Sequence, residues 1–80
     1  MVAYVTIKTM YTDITDILPV VVSIDNTMQE ALESVARDCN EPINEIEEEI
    51  DKYNKYDTIE YNDEHEPISV MYVIDKHVAF

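Results

Sequence analysis

Glycine is absent from this chain of 80 residues, tryptophan is absent too, cysteine is reduced to Cys39, and basic residues number only five. Without glycine, a phosphate-cradling Gly-rich loop is excluded. Backbone positions that need positive φ must fall to asparagine or aspartate, which tolerate that conformation next best. The candidates are Asn40, Asn54, Asn62 and Asp63. One cysteine cannot form an intrachain disulfide, and small secreted domains usually carry several. No basic, then apolar, then small-residue pattern opens the chain, so no signal peptide is expected. The longest apolar run, Ile17 to Val22, is far short of the roughly 20 residues that span a bilayer. The shortage of bases sets the surface against anionic lipid and nucleic acid. Neither a membrane nor direct nucleic-acid contact is expected, and the expected compartment is the cytoplasm.

What the chain has in excess is acid. Of its eighteen acidic residues, fourteen lie between Glu30 and Glu66, against three bases, Arg37, Lys52 and Lys55. That stretch, fourteen acids less three bases, carries −11 of the formal net charge of −13. Net charge argues about solubility and partners, not about fold. The clustering points to a positively charged partner surface. A hydrophobic content of 46% in short patterned runs argues for a folded chain and against disorder. At this length the expectation is one domain, residues 1–80.

The pattern reads as an α+β domain of ββααββ order, an antiparallel sheet with two helices on one face. Val2 to Tyr11 is rich in β-branched and aromatic residues, with Ala3, Val5 and Ile7 on one face. Thr12 to Asp16 reads as a turn. Leu18, Val20, Val22 and Ile24 alternate in a second strand with one face toward the core, and Pro19 marks its start or an edge position. Thr27 and Glu30 have the spacing of a capping box. Met28, Ala31, Leu32, Val35, Ala36 and Cys39 follow at helical spacing, with Ser34 on the outer side and Asn40 as the terminating residue. Pro42 suits a first helical turn. Ile43, Ile46, Ile50 and Tyr53 then form a narrow apolar seam that Asn54 closes. From Asp57 the pattern turns to period two, with Ile59 and Tyr61 facing one way and Thr58 and Glu60 the other, a strand with one solvated face, and Asn62 to Pro67 is a polar loop. Ile68 to Ile74 is apolar at both parities, the pattern of a central strand covered on both sides. The hairpin-then-helix order of the first forty residues is similar to that of ubiquitin-like folds, an architectural alternative without a motif to carry it.

Chemistry has few places to reside. Glu41, Glu45, Glu48 and Glu49 recur at three or four residues, which sets neighbouring Cβ atoms about 5–6 Å apart on one helical face. Asp51 extends this face. A DNA strand presents one phosphate per roughly 3.4 Å of rise, so such a face imitates part of a phosphate row. Acids in a first turn also suit the helix macrodipole, but Glu49 and Asp51 lie toward the opposite end. The plainer reading is a solvated face kept for solubility. Asp63, Glu64, His65 and Glu66 share one loop that lacks the spacing and glycine of an EF-hand and the paired ligands of a zinc site. No metal or other cofactor is expected there. Cys39 lies on an apolar stripe, where a buried thiol is inert. No serine has a base nearby in sequence, so no enzyme is expected. Tyr56 borders the acidic helix, where an aromatic ring can stack on arginine and anchor an interface.

In size, acidity and lack of enzyme motifs the chain resembles the DNA-mimic and anti-defence proteins that phages encode. The resemblance is one of charge character over residues 30 to 66. It implies an inhibitor that works in a host cytoplasm and docks on a basic protein surface, such as the groove of a nucleic-acid-binding protein. The residues that would carry this are Glu41, Glu45, Glu48, Glu49, Asp51, Tyr56, Asp63, Glu64 and Glu66. The alternative is a structural or assembly subunit that associates through a sheet edge near Pro19 or through the C-terminal Val78-Ala79-Phe80. Its acidic face would then serve only solubility.

Overall fold

A computed structural model of the protein describes residues 1–11 and 19–78. The elements run β1 (Val2–Tyr11), β2 (Pro19–Asp25), α1 (Met28–Cys39), α2 (Ile43–Tyr53), β3 (Tyr56–Tyr61) and β4 (Pro67–Val78). All neighbouring strands are antiparallel, in the order β2-β1-β4-β3, so the fold is α+β as the residue pattern implies. β1 and β4 form the central ladder, ten pairs from Val2↔Val78 to Tyr11↔Ser69. The chain leaves the sheet at one edge, crosses one face as α1 and α2, and re-enters at the other edge as β3. The turn expected at Thr12 to Asp16 lies outside the described residues, as do Leu18, Ala79 and Phe80.

Each helix begins and ends where its chemistry dictates. Thr27 caps α1: its Oγ1 accepts from the Glu30 N–H at 3.2 Å and donates to the Glu30 carboxylate at 3.0 Å. Asn40 and Asn54 end the two helices in the left-handed region, at φ 56° and 60°. At the end of α2 the Asn54 N–H returns to the Ile50 carbonyl at 2.9 Å. Pro42 stands just outside α2, where its lack of an N–H costs nothing and its carbonyl accepts from Ile46.

The core lies between the helices and one sheet face: Leu32 and Val35 from α1, Ile46 from α2, Tyr56 from β3, and Val70 and Tyr72 from β4. Burying each large apolar side chain contributes about 1.5–3 kcal/mol. Ile43 and Ile50 flank Ile46 as the seam predicts, but Tyr53 does not join them and is 60% exposed at the helix end. Ser34 is buried, not outward. Its hydroxyl bonds back to the Glu30 carbonyl and across to Asp25, which lets a small polar side chain face β2.

Alternation along β1 holds, yet its apolar parity faces away from the helices. Register pairs share a face, so Thr6, Lys8 and Met10 stand on the helix side with Ile74, Tyr72 and Val70. Ala3, Val5 and Ile7 stand on the other side. Thr6 is buried with an unbonded hydroxyl, a local cost of about 1–3 kcal/mol. In β2, Thr6 pairs with Ser23 and Ile7 with Val21, leaving Val22 as the extra residue of a bulge. The bulge breaks the expected alternation: Val22 packs on the core, while Ile24 turns to the opposite face. β4 is central, as its residues imply, but only one of its faces is covered by described elements.

Candidate functional site

The seam of α2 settles where its acids go. With Ile43, Ile46 and Ile50 turned to the core, Glu45, Glu48, Glu49 and Asp51 are exposed. Glu45, Glu48 and Glu49 face β3 across a cleft of about 270 Å³, whose other lining residues are Tyr56 and Asp57. Tyr56, 7% exposed, is held in the core by its pairing with Tyr72 across β3 and β4. Burial pushes its phenol pKa up, and the charges of Glu41, Cys39, Glu45 and Glu49 push it further the same way. Half-buried Glu41 therefore belongs to the same electrostatic neighbourhood.

Two ammonium groups border the cleft. Lys52 pairs with Glu48 one turn back at 3.0 Å, and Lys55 with Asp57 at 3.1 Å. Glu45, Glu48 and Glu49 line the recess from α2, and Asp57, whose register partner Met71 stands on the bare face, lines it at the strand edge; against two lysines the recess is still negative. A cavity of this size admits a planar cation, and its carboxylates are the acceptors that a guanidinium fork matches.

Of the residues singled out by sequence, the structure brings Glu41, Glu45, Glu48, Glu49 and Tyr56 together. Asp51 is exposed but does not line the cleft. Asp63, Glu64 and Glu66 are exposed in the β3–β4 loop, at the opposite end of β3 from Tyr56. Six residues of strand separate them from the cleft by roughly 20 Å. In that loop the Asn62 side-chain oxygen accepts from the Glu64 and Glu66 N–H groups, both at 2.9 Å. The left-handed residue is His65, at φ 61°, and not Asn62 or Asp63. The His65 N–H bonds to the Asn62 carbonyl and the Asn62 N–H to the Glu66 carbonyl. This is a three-residue hairpin loop in which the last position takes the conformation usually given to glycine.

A second polar group escaped the sequence reading. Lys8, on the helix face of β1, reaches Glu60 at 2.6 Å and Asp38 at 3.1 Å. Its ammonium lies 5.7 Å from the centre of the Tyr72 ring, and the Tyr72 hydroxyl donates to Asp38 at 2.5 Å. Burial alone would lower the Lys8 pKa, but the bonds and charges of Glu60 and Asp38 outweigh it and hold the pKa above its ordinary value. For Asp38, burial acts to raise the pKa; the Tyr72 and Lys8 bonds reverse that and keep it below the usual carboxylate range. Tyr72 is held neutral by burial and by its bond to Asp38. A lysine held charged at neutral pH and a neutral tyrosine tie β1, α1, β3 and β4 together. The separations are 30 residues for Lys8 and Asp38 and 52 for Lys8 and Glu60, which no local pattern announces. Cys39 is partly buried, and burial raises its thiol pKa, so the thiolate needed for reactivity is disfavoured.

No protein-family model, no curated protein and no solved structure matches the chain. Among the described residues, no helix is long and apolar enough to cross a membrane.

Proposed function

We propose that the protein is an acidic binding inhibitor. It presents the α2 face and the cleft beside Tyr56 to a basic protein surface, as an anti-defence or DNA-mimic protein does. The observation that carries this reading is the convergence of Glu45, Glu48 and Glu49 on one recess beside the fixed ring of Tyr56. A solubilising surface needs only that acids be outside. It does not need them to frame a cavity. An arginine of the target enters the recess and meets several carboxylates of α2 at once beside the Tyr56 ring, while the remaining acids steer the approach. The target surface is one that itself binds phosphate, because its spacing of cations suits a row of carboxylates.

Affinity capture with the immobilised chain, at low and at high salt, tests this. Two triple variants serve as controls: Glu45→Lys with Glu48→Lys and Glu49→Lys, and Asp63→Lys with Glu64→Lys and Glu66→Lys. Each changes the formal charge by +6, from −13 to −7. The expected result is a basic protein retained at low salt by the wild type and by the loop variant, and lost by the helix variant. Equal loss from both would reduce the binding to bulk charge and sink the cleft.

A further inference from the structure

We propose that the uncovered face of the sheet is a dimer interface, on which two copies of this chain stack sheet to sheet about a twofold axis. The register places Val5, Ile7 and Tyr11 of β1 on this face beside Met71 and Val73 of β4. The edge strands add Val21 and Ile24 of β2, 57% and 69% exposed. On β3 they are Ile59 and Tyr61, 56% and 67% exposed. Among the described residues no helix covers any of these, since α1 and α2 both pack on the opposite face. An antiparallel sheet with one solvated face normally turns polar residues outward. Here valine, isoleucine, methionine and tyrosine face outward on all four strands, broken by Thr9, Ser69 and Asp57, and β4 has the composition of a strand covered twice.

Area and shape select a second copy as the occupant, and the placement of charge permits it. The protein carries −13, yet the acids of α1 and α2 lie in the layer away from this face. On or beside the band the charged groups are Asp57, which already pairs with Lys55, Asp75, which stands opposite Val5, His77, and the loop acids Asp63, Glu64 and Glu66 just beyond Tyr61 at the far end of β3. Stacking through the bare faces gives a helix–sheet–sheet–helix sandwich. At about 10 Å per layer it sets the two acidic layers roughly 30 Å apart. That exceeds three Debye lengths of about 8 Å at physiological salt, so the repulsion is largely screened. Two copies also share one sheet twist, which is what aligned sheet packing requires. Strands about 4.8 Å apart and roughly 20–33 Å long offer about 500 Å² in projection per copy. The pair therefore covers about 1,000 Å², the size at which specific interfaces begin. Association through the β2 edge is disfavoured, because Pro19 and the Val22 bulge interrupt that edge.

Sedimentation equilibrium of the full chain across a concentration series tests this, beside the double variant Val21→Lys with Ile59→Lys. Two added lysines change the net charge from −13 to −11 and lessen general repulsion, so a weaker dimer can only come from the face itself. The expected result is a wild-type dimer and a variant whose association is about 100-fold weaker or more, because each lysine is carried into an apolar interface. Circular dichroism checks that the variant is folded; if it is not, Val21→Thr with Ile59→Thr takes its place, with weakened association expected. A wild-type chain that stays monomeric up to ~1 mM overturns the proposal. So does a monomer that binds neutral lipid vesicles, or a dimer that persists unchanged in a folded variant.

Discussion

Lys8 is the residue whose position most shapes the interior. A lysine at an inward position of a central strand is tolerable only if its charge is met, and Glu60, Asp38 and the Tyr72 ring meet it from three other elements. Its pairing has a pH consequence whose sign follows from the shifts. Asp38 has a folded pKa below its unfolded value, so its contribution is present above the unfolded value of about 3.9 and is lost as pH falls through the folded pKa. Lys8 and Tyr72 are raised, so their contributions are intact below their unfolded values near 10 and fade as pH climbs through the folded ones. The Asp38 side chain is 33% exposed, so solvent screening keeps its effect modest. Thermal melts of wild type and Asp38→Asn from about pH 7 to about pH 3 isolate it from the other carboxylates. The gap between the two curves should hold at higher pH and begin to narrow below about pH 4. Curves that stay parallel down to the lowest pH would remove Asp38 as a stabilising anion.

At the scale of elements, legibility tracked how local the cause is. Thr27, Asn40 and Asn54 announce helix ends because a cap bonds to residues three or four positions away, and the order of strands and helices follows from periodicity alone. Periodicity gives two faces of a strand but not which one the helices choose. In β1 the choice is made by Tyr72 and Val70 across the ladder, so Ala3, Val5 and Ile7 point outward although they look like core. The bulge at Val22 is likewise invisible until the pairing is known. The acidic cleft was half legible. Spacing placed Glu45, Glu48 and Glu49 on one face, but the wall opposite, Tyr56 and Asp57, is set by how α2 packs on β3. His65 is the clearest miss. In a chain without glycine the left-handed loop position had to fall to another residue, and the loop register gave it to histidine instead of its asparagine neighbour. A non-glycine residue there costs about 1–2 kcal/mol. Replacing His65 with glycine should relieve that cost, less the roughly 0.4–1 kcal/mol that glycine's freedom in the unfolded chain takes back, for a net gain of about 0.4–1 kcal/mol, and asparagine should gain in the same direction. That corresponds to roughly 2–8 °C in melting temperature for a domain of this size. A lower melting temperature in both variants would mean that the imidazole has a role the backbone angle does not express.

For the whole molecule, charge and shape are arranged in layers: acids over the helices, apolar residues across the bare sheet face, and a mixed core between them. Crowded carboxylates on one layer carry a cost that solvent conditions can reveal. Like charges at helical neighbour spacing destabilise by about 0.2–0.5 kcal/mol a pair. Along α2 Glu45 stands at that spacing from both Glu48 and Glu49, and Lys52 offsets only the Glu48 end. Sodium chloride should consequently raise the melting temperature of the wild type, most steeply at low ionic strength where the Debye length is long. The triple change of Glu45, Glu48 and Glu49 to lysine leaves Ile43, Ile46 and Ile50 in place and, by adding +6, cancels the excess charge of the two helices, eight acids less two bases or −6. Its melting temperature should respond less to salt. At low ionic strength it should match or exceed the wild type, although Glu45 gives up a favourable place in the first turn of α2, worth about 0.3–1 kcal/mol. The comparison must be made at a protein concentration where sedimentation shows one species, since a dimer would add its own dependence on mass action. A wild-type melting temperature indifferent to salt would mean that the acids of this layer are too well hydrated to repel. Steering of a basic partner by long-range charge would then lose its physical basis, because both effects draw on the same field.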